Sequence, residues 1–98
     1  MIILGVRNDR FVWDEDKFDA NVKKHGITFV EAMAVFDDPN ALYKHDAEHS
    51  DDEERFIVIG LSSIMRILVV CHCYREEDVI RIISARKATK TEIKQYGG

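Results

Sequence analysis

Arg66-Ile67-Leu68-Val69-Val70-Cys71-His72-Cys73-Tyr74 is the stretch whose reading decides the fold. It is too short and too rich in β-branched residues for a comfortable helix. Both of its alternate rows are mostly apolar, so it reads as a central strand covered on both faces. Arg55-Phe56-Ile57-Val58-Ile59-Gly60-Leu61 precedes it, and Val79-Ile80-Arg81-Ile82-Ile83-Ser84 follows. The joining segments, Ser62–Met65 and Arg75–Asp78, are of hairpin length. An antiparallel meander of three strands is the expectation.

Loops of four residues give this meander a register. Tyr74 then faces Val79, His72 faces Arg81, Leu61 faces Arg66, and Arg55 faces His72. Residues that face each other in a ladder share a side, so Arg55, His72 and Arg81 are expected to form one row across the three strands. A slip of one residue in either hairpin dissolves the row. The competing reading leaves the arginines solvated at strand ends and makes His72 a satisfied, half-buried residue.

The rest of the chain builds a small domain around that sheet. With 98 residues it is expected to be a single domain, 1–98. A composition that is 46% hydrophobic and 33% charged is that of a globular chain rather than a disordered one. No apolar run approaches the length of a membrane span, and Met1–Val6 lacks the basic flank of a signal peptide, so the expected setting is the cytoplasm. Cys71 and Cys73 point to the same side of the strand with Cα atoms about 6.6 Å apart, which suits core thiols better than a disulfide. Alternation sends His72 to the other side, so Cys-His-Cys is a poor zinc motif and no metal is expected.

Phe11-Val12-Trp13 reads as a first strand, with Ile2–Val6 as its extension backward. Asp14 is placed as an N-cap ahead of Glu15 and Asp16, and Lys23-Lys24-His25 before Gly26 closes a first helix. Phe18 and Val22 mark its buried face. Thr28-Phe29-Val30-Glu31 is a capping box that opens a second helix with Phe29, Ala32, Met33 and Phe36 inward; Pro39 ends it. Ala41-Leu42-Tyr43 has the composition of a strand fragment. His45 through Glu54 is dominated by charge and reads as a solvated acidic loop. Ile64 and Met65 are either exposed at the first hairpin tip, a hint of a partner contact, or folded over the sheet edge. Thr89-Lys90-Thr91-Glu92 is a second capping box, opening a last helix with Ile93 and Tyr96 on one face. The order β-α-α-β-β-β-α, an antiparallel sheet with helices on one side or end, is α+β.

The formal net charge of −4 argues against a simple nucleic-acid binder, but it hides an asymmetry. Residues 1–65 hold seven Lys/Arg and fourteen Asp/Glu, whereas residues 66–98 hold seven and four. The second half therefore has the makings of a phosphate-binding face.

Taken in order, the residues resemble the BrnT family of bacterial toxins, the toxin halves of type II toxin–antitoxin pairs. The resemblance is carried by Trp13-Asp14 with Lys17, Asn21 and Lys24-His25-Gly26; by Phe29 with Glu31-Ala32; by Glu54-Arg55 with Ile59-Gly60; by Leu68-Val69-Val70 with His72; and by Arg81-Ile82-Ile83-Ser84-Ala85-Arg86 with Ala88, Glu92 and Tyr96. Two positions depart from the family: Met65, where Gly is usual in the hairpin, and Ile93, where Arg often follows the Glu. The resemblance implies a RelE-like fold and an endoribonuclease that cleaves mRNA and arrests growth. It also implies a BrnA-type antitoxin that covers the active face, with the complex, not the toxin alone, repressing its operon at operator DNA.

Metal-independent cleavage by attack of the ribose 2′-OH needs a base, cations for the phosphate, and an acid for the leaving oxygen. Arg55, Arg81 and Arg86 are the candidate phosphate clamps. His72 is the candidate acid or base. Tyr96 is a candidate for orienting substrate or sharing proton transfer, and Lys24 and His25 for holding RNA backbone. Each has a plainer reading. Arg86 falls on the opposite strand row from Arg81 unless a bulge intervenes; Tyr96 suits a core aromatic; His25 complements a helix terminus; Trp13 suits the core. A non-catalytic module that binds antitoxin and controls its operon remains the alternative to a ribonuclease, and net acidity is its support.

Overall fold

Ile67–Tyr74 runs through the middle of a six-stranded sheet in the computed structural model, which describes residues 2–3, 10–76 and 78–97. The strands are β1 (Ile2–Ile3), β2 (Phe11–Trp13), β3 (Leu42–His45), β4 (Phe56–Leu61), β5 (Ile67–Tyr74) and β6 (Ile80–Lys87). Their spatial order is β1-β2-β6-β5-β4-β3. The helices are α1 (Glu15–His25), α2 (Phe29–Met33) and α3 (Lys90–Gly97). The α+β class and the β4–β5–β6 meander stand. The element order gains β1 and β3, and the backward extension of the first strand is a separate antiparallel partner of β2, with residues 4–9 outside the described part. The sheet is mixed rather than antiparallel throughout, because β2 pairs in parallel with β6. A parallel pair needs a long crossover, and residues 14–79 lie between these two strands.

The meander register differs from the expected one by a single residue. Leu61 pairs with Ile67 and Tyr74 with Ile80, so each hairpin holds five residues rather than four. The extra residue is accommodated by one left-handed position per loop, Met65 at φ 68° and Asp78 at φ 66°. Ser62 N–H donates to Arg66 O at 2.9 Å and Met65 N–H to Ser62 O at 3.0 Å, a turn that closes on the left-handed residue. Ile64 and Met65 are exposed at its tip. His72 consequently pairs with Phe56 and Ile82, while Arg81 pairs with Cys73. The row of Arg55, His72 and Arg81 does not form.

This register sorts the sheet into two faces. Val58, Leu68, Val70, Ile82 and Ala85 join Phe11, Trp13, Ile27, Phe29, Ala32, Met33 and Val35 in the core. Trp13, Phe18 and Phe29 meet with ring centroids 5.5–5.8 Å apart. Each such side chain, fully buried, contributes roughly 1.5–3 kcal/mol. Close approach is needed where the 3₁₀ turn Ala34–Asp37, which replaces the last part of the expected second helix, lies on β4. A Cβ on Gly60 would meet Val35 Cγ1 at 2.8 Å, so only glycine fits there. The opposite face carries Ile57, Ile59, Val69, Cys71, Cys73 and Arg81; α3 packs on β4 and is tied to this face through Arg86.

Helix α1 begins and ends as its caps require. Asp14 accepts from Asp16 N at 2.8 Å and Lys17 N at 3.2 Å, and Gly26 takes the left-handed position at φ 70°. Its buried residue is not Val22, which is exposed, but Asn21. Strand β2 pairs with β6 only through Arg81, and the side-chain amide of Asn21 takes over farther along that edge. It donates to Ala85 O at 2.8 Å and Ile27 O at 2.9 Å and accepts from Ala85 N at 3.0 Å. The amide behaves as one residue of a further strand, satisfying backbone groups that water cannot reach.

Two substitutions test these devices. Asn21→Ala strands a buried backbone donor and acceptor and should cost about 2–3 kcal/mol in urea unfolding. Met65→Gly relieves a left-handed side chain that touches little and should add about 0.5–1 kcal/mol, with an unchanged denaturant slope.

Candidate functional site

Three arginines reach the same face of the sheet by different routes. Arg55 lies just before β4, where its N–H donates to Ser50 Oγ at 2.9 Å and its carbonyl accepts from Asp46 N at 2.9 Å. Arg81 sits on β6 opposite Cys73. Arg86 belongs to the other alternation row, but a β-bulge lies between: His72 pairs with Ile82 and Cys71 with Ser84, leaving Ile83 as the extra residue. The bulge turns Arg86, opposite Val69, onto the face that carries Arg81.

Arg86 is fixed by α3. Its Nη1 and Nη2 donate to the two oxygens of Glu92 at 2.8 and 2.9 Å. Glu92 also accepts from Thr89 N at 2.8 Å while Thr89 Oγ1 accepts from Glu92 N at 3.2 Å, completing the capping box. The Arg86 fork, with the Thr89 N–H, holds the Glu92 carboxyl far down, at about 2. The other two arginines are held more loosely. Glu53 Oε1 lies 3.5 Å from Arg81 Nη1 and 3.8 Å from Arg55 Nη2. The Nε atoms of both Arg55 and Arg81 are buried without a hydrogen-bond partner. A buried, unpaired donor is costly and marks a place where an acceptor is wanted.

A cleft of about 210 Å³ opens here, lined among others by Asp46, His49, Arg55, Cys71, Ser84 and Arg86. A second, of about 420 Å³, runs between α1 and β6 past Lys17, Lys24 and His25. Both are lined by Ile83, Ser84 and Arg86, so the two clefts adjoin at these residues, together a groove. Its α1 end is basic. At its other end the acidic segment between β3 and β4 folds into a 3₁₀ turn, Ala47–His49, and a third cleft of about 150 Å³ lined by His49, Asp51, Asp52, Glu53 and Arg55.

Of the expected site residues, the structure thus brings together Arg55, Arg81 and Arg86, with Lys24 and His25 along the adjoining groove. His72 lies elsewhere. It is 0% exposed on the core face, among Phe36, Tyr43, Phe56 and Tyr74. Its Nδ1 is 3.1 Å from Val70 O and its Nε2 3.3 Å from Tyr74 Oη. Burial pushes its pKa down, so the ring is neutral near pH 7. Tyr96 donates to Asp38 Oδ2 at 2.6 Å, beside the Leu61 N–H that the same oxygen accepts, at the free end of β4. The bond to Asp38 raises its phenol pKa. Cys71 and Cys73 have their thiol pKa values raised chiefly by burial, which keeps them protonated and unreactive. Asp46, His49, Glu53, Lys17 and Ser84 were given no catalytic or RNA-binding role from the sequence, although Lys17 and Ser84 were among the residues that carry the family resemblance. Ser84 was the one with a visible signal, a polar residue in an otherwise apolar strand.

Residues 13–92 match the family described as ribonuclease toxin, BrnT, of type II toxin–antitoxin systems. The chain belongs to the BrnT family. Among solved structures, the crystal structure of the Brucella abortus ribonuclease toxin BrnT matches with a TM-score of 0.62 at 26% identity, over 82% of this chain and 96% of that one. No curated protein sequence matches. BrnT membership places this chain among toxins with an antitoxin partner and a ribonuclease role. No described helix of this BrnT-family chain is long and apolar enough to cross a membrane.

The Arg86–Glu92 fork yields a pH-dependent prediction. The folded carboxyl titrates at about 2 against 4.5 for the free group, so its stabilisation is complete above pH 4.5 and is lost as pH falls toward 2. Glu92→Gln should therefore cost roughly 2 kcal/mol at neutral pH. Chemical denaturation at descending pH should show wild type and variant converging below pH 4.5.

Proposed function

We propose that this chain is an endoribonuclease that cuts mRNA without a metal ion, the ribose 2′-OH attacking the adjacent phosphate to leave a 2′,3′-cyclic phosphate and a 5′-hydroxyl. The observation that carries this reading is the convergence of Arg55, Arg81 and Arg86 on one face, with the Nε atoms of two of them buried and unpartnered. Guanidinium forks match phosphate geometry, and in a partly dry cleft they stabilise the charge that builds on a pentacoordinate phosphorus. Arg55 and Arg81 grip the scissile phosphate. Arg86, at the junction of the two clefts, holds the neighbouring one. Lys17, Lys24 and His25 carry the RNA backbone along α1.

In this reading His72 and Tyr96 hold the scaffold rather than the RNA, and the fold is RelE-like. The protein acts in the cytoplasm, where growth arrest requires it to meet mRNA. Its antitoxin is of the BrnA type and lies over the arginine face, and operator DNA is contacted only through that complex. A second reading, an antitoxin-binding module without catalysis, is favoured by one observation, the net charge of −4.

Induced expression and incubation of the purified chain with single-stranded RNA in EDTA separate the two. Wild type should arrest growth and fragment RNA. Arg55→Ala and Arg81→Ala should each lower kcat/KM by about 100-fold or more while melting like wild type. Lys24→Ala should instead raise KM and flatten the salt dependence. A folded wild type that leaves RNA intact and growth normal establishes the binding-module reading.

A further inference from the structure

The arginines supply cations, but the reaction also needs groups that take and give protons. His72, the histidine expected to do so, is 0% exposed and has both ring nitrogens engaged inside the sheet. The candidates on the arginine face are in the segment between β3 and β4. Glu53 reaches between Arg55 and Arg81, yet its distances of 3.8 and 3.5 Å are long for ion pairs. Closed pairs elsewhere are shorter: Arg66–Glu31 has two bonds of 2.7 Å, and Arg86–Glu92 has bonds of 2.8 and 2.9 Å. Glu53 is thus held loosely by positive charge, with the Cys73 thiol as a weak donor to it and neither guanidinium closed on it. His49 has the complementary arrangement. Its Nδ1 is 2.9 Å from Asp46 Oδ2, which fixes the proton on that nitrogen and presents Nε2 as the working atom. His49, Glu53 and Arg55 line one cleft, and Asp46, His49 and Arg55 line the next.

We propose that Glu53 and His49 are the proton-transfer pair of this site, Glu53 as base and His49 as acid, with Asp46 as a positioning residue for His49. The assignment rests on the ribonuclease reading above. Glu53 takes the 2′-OH proton as O2′ bonds to phosphorus. The P–O5′ bond breaks, and the departing oxygen takes the Nε2 proton of a His49 imidazolium, which is left neutral with its Nδ1–H still donated to Asp46. Water then returns a proton to His49 and removes one from Glu53, which resets both groups. The flanking guanidiniums neutralise the phosphate beside Glu53, so a carboxylate tolerates an approaching anion.

The test uses the full chain and end-labelled single-stranded RNA of mixed sequence in EDTA. A matched RNA has sulfur in place of the bridging 5′-oxygen, a leaving group that departs without a proton. Glu53→Gln should lower kcat by about 100-fold or more on both substrates, with KM unchanged or lower. His49→Ala and Asp46→Asn should be slow on the oxygen substrate and recover to near wild type on the sulfur one. Retention of activity by Glu53→Gln, or a gain, overturns the pair and makes Glu53 an internal stand-in for phosphate. Failure of the sulfur substrate to rescue His49→Ala removes His49 as the acid. An RNA-inert wild type overturns the ribonuclease reading itself; an active wild type with an indifferent Glu53→Gln overturns only the pair.

Discussion

The length of two hairpin loops assigns every side chain of the meander to a face. In each loop one non-glycine residue, Met65 or Asp78, accepts a left-handed backbone, and this lets five residues rather than four span the turn. Because side chains alternate with period two, that one residue exchanges the faces. His72 goes inward against Phe36, and Cys73 and Arg81 go outward. Left-handed geometry costs roughly 1–2 kcal/mol at a non-glycine position, so the core must outweigh it. It does, since the four-residue register would put Val58 and Val70 on opposite faces and Arg81 on the same face as His72, mixing charged and core residues on each side of the sheet.

Once the faces are set, a few polar ties hold the surrounding elements at fixed positions. Asn21 joins α1 to the edge of β6 at Ala85, between Ser84 and Arg86. That tie puts Lys24 and His25 beside the same stretch of strand that carries Arg86. Glu31, whose carboxyl is held low chiefly by hydrogen bonds from Arg66, clamps α2 to the first hairpin through Arg66 and Ser62. Glu92 clamps α3 to Arg86. These bonds are charge-assisted or multiply shared, and therefore geometrically demanding. Among the described residues Arg55 and Arg81 have no such clamp, which fits the proposal that they adapt to a substrate.

The strands, the caps and the family were legible in the sequence because each rests on local chemistry. Asp14, Gly26, Thr28 and Thr89 cap as their residue types dictate, and Trp13 is core because nothing near it offers a reason to be outside. The register was not legible, since Ser62-Ser63-Ile64-Met65 lacks the glycine that would announce a left-handed turn. The parallel β2–β6 pair was hidden for another reason: it joins residues far apart in the chain, and no local pattern encodes it. Among site residues, the three arginines were recognisable by charge against an apolar background. Glu53 and His49 were not, because within a run of acids each looks solvated, and only the folded segment shows which of them meets a guanidinium.

The layout of charge resolves the conflict between an acidic chain and the polyanionic substrate proposed for it. Over about 10 Å, the screening length at moderate salt, an RNA bound as proposed would sense the groove rather than the net charge. At the α1 end it meets Lys17, Lys24, His25 and then Arg86, which favours phosphate. At the far end it meets Asp51, Asp52 and Glu53, which opposes any phosphate not held by Arg55 and Arg81. A gradient of this kind admits a strand from one side and arrests it where two guanidiniums outweigh the acids. The same acids would attract a basic partner, so an antitoxin that covers this face has both signs of charge to complement. The net charge of −4 is then a property of the whole surface, whereas binding is decided by the sign along the groove.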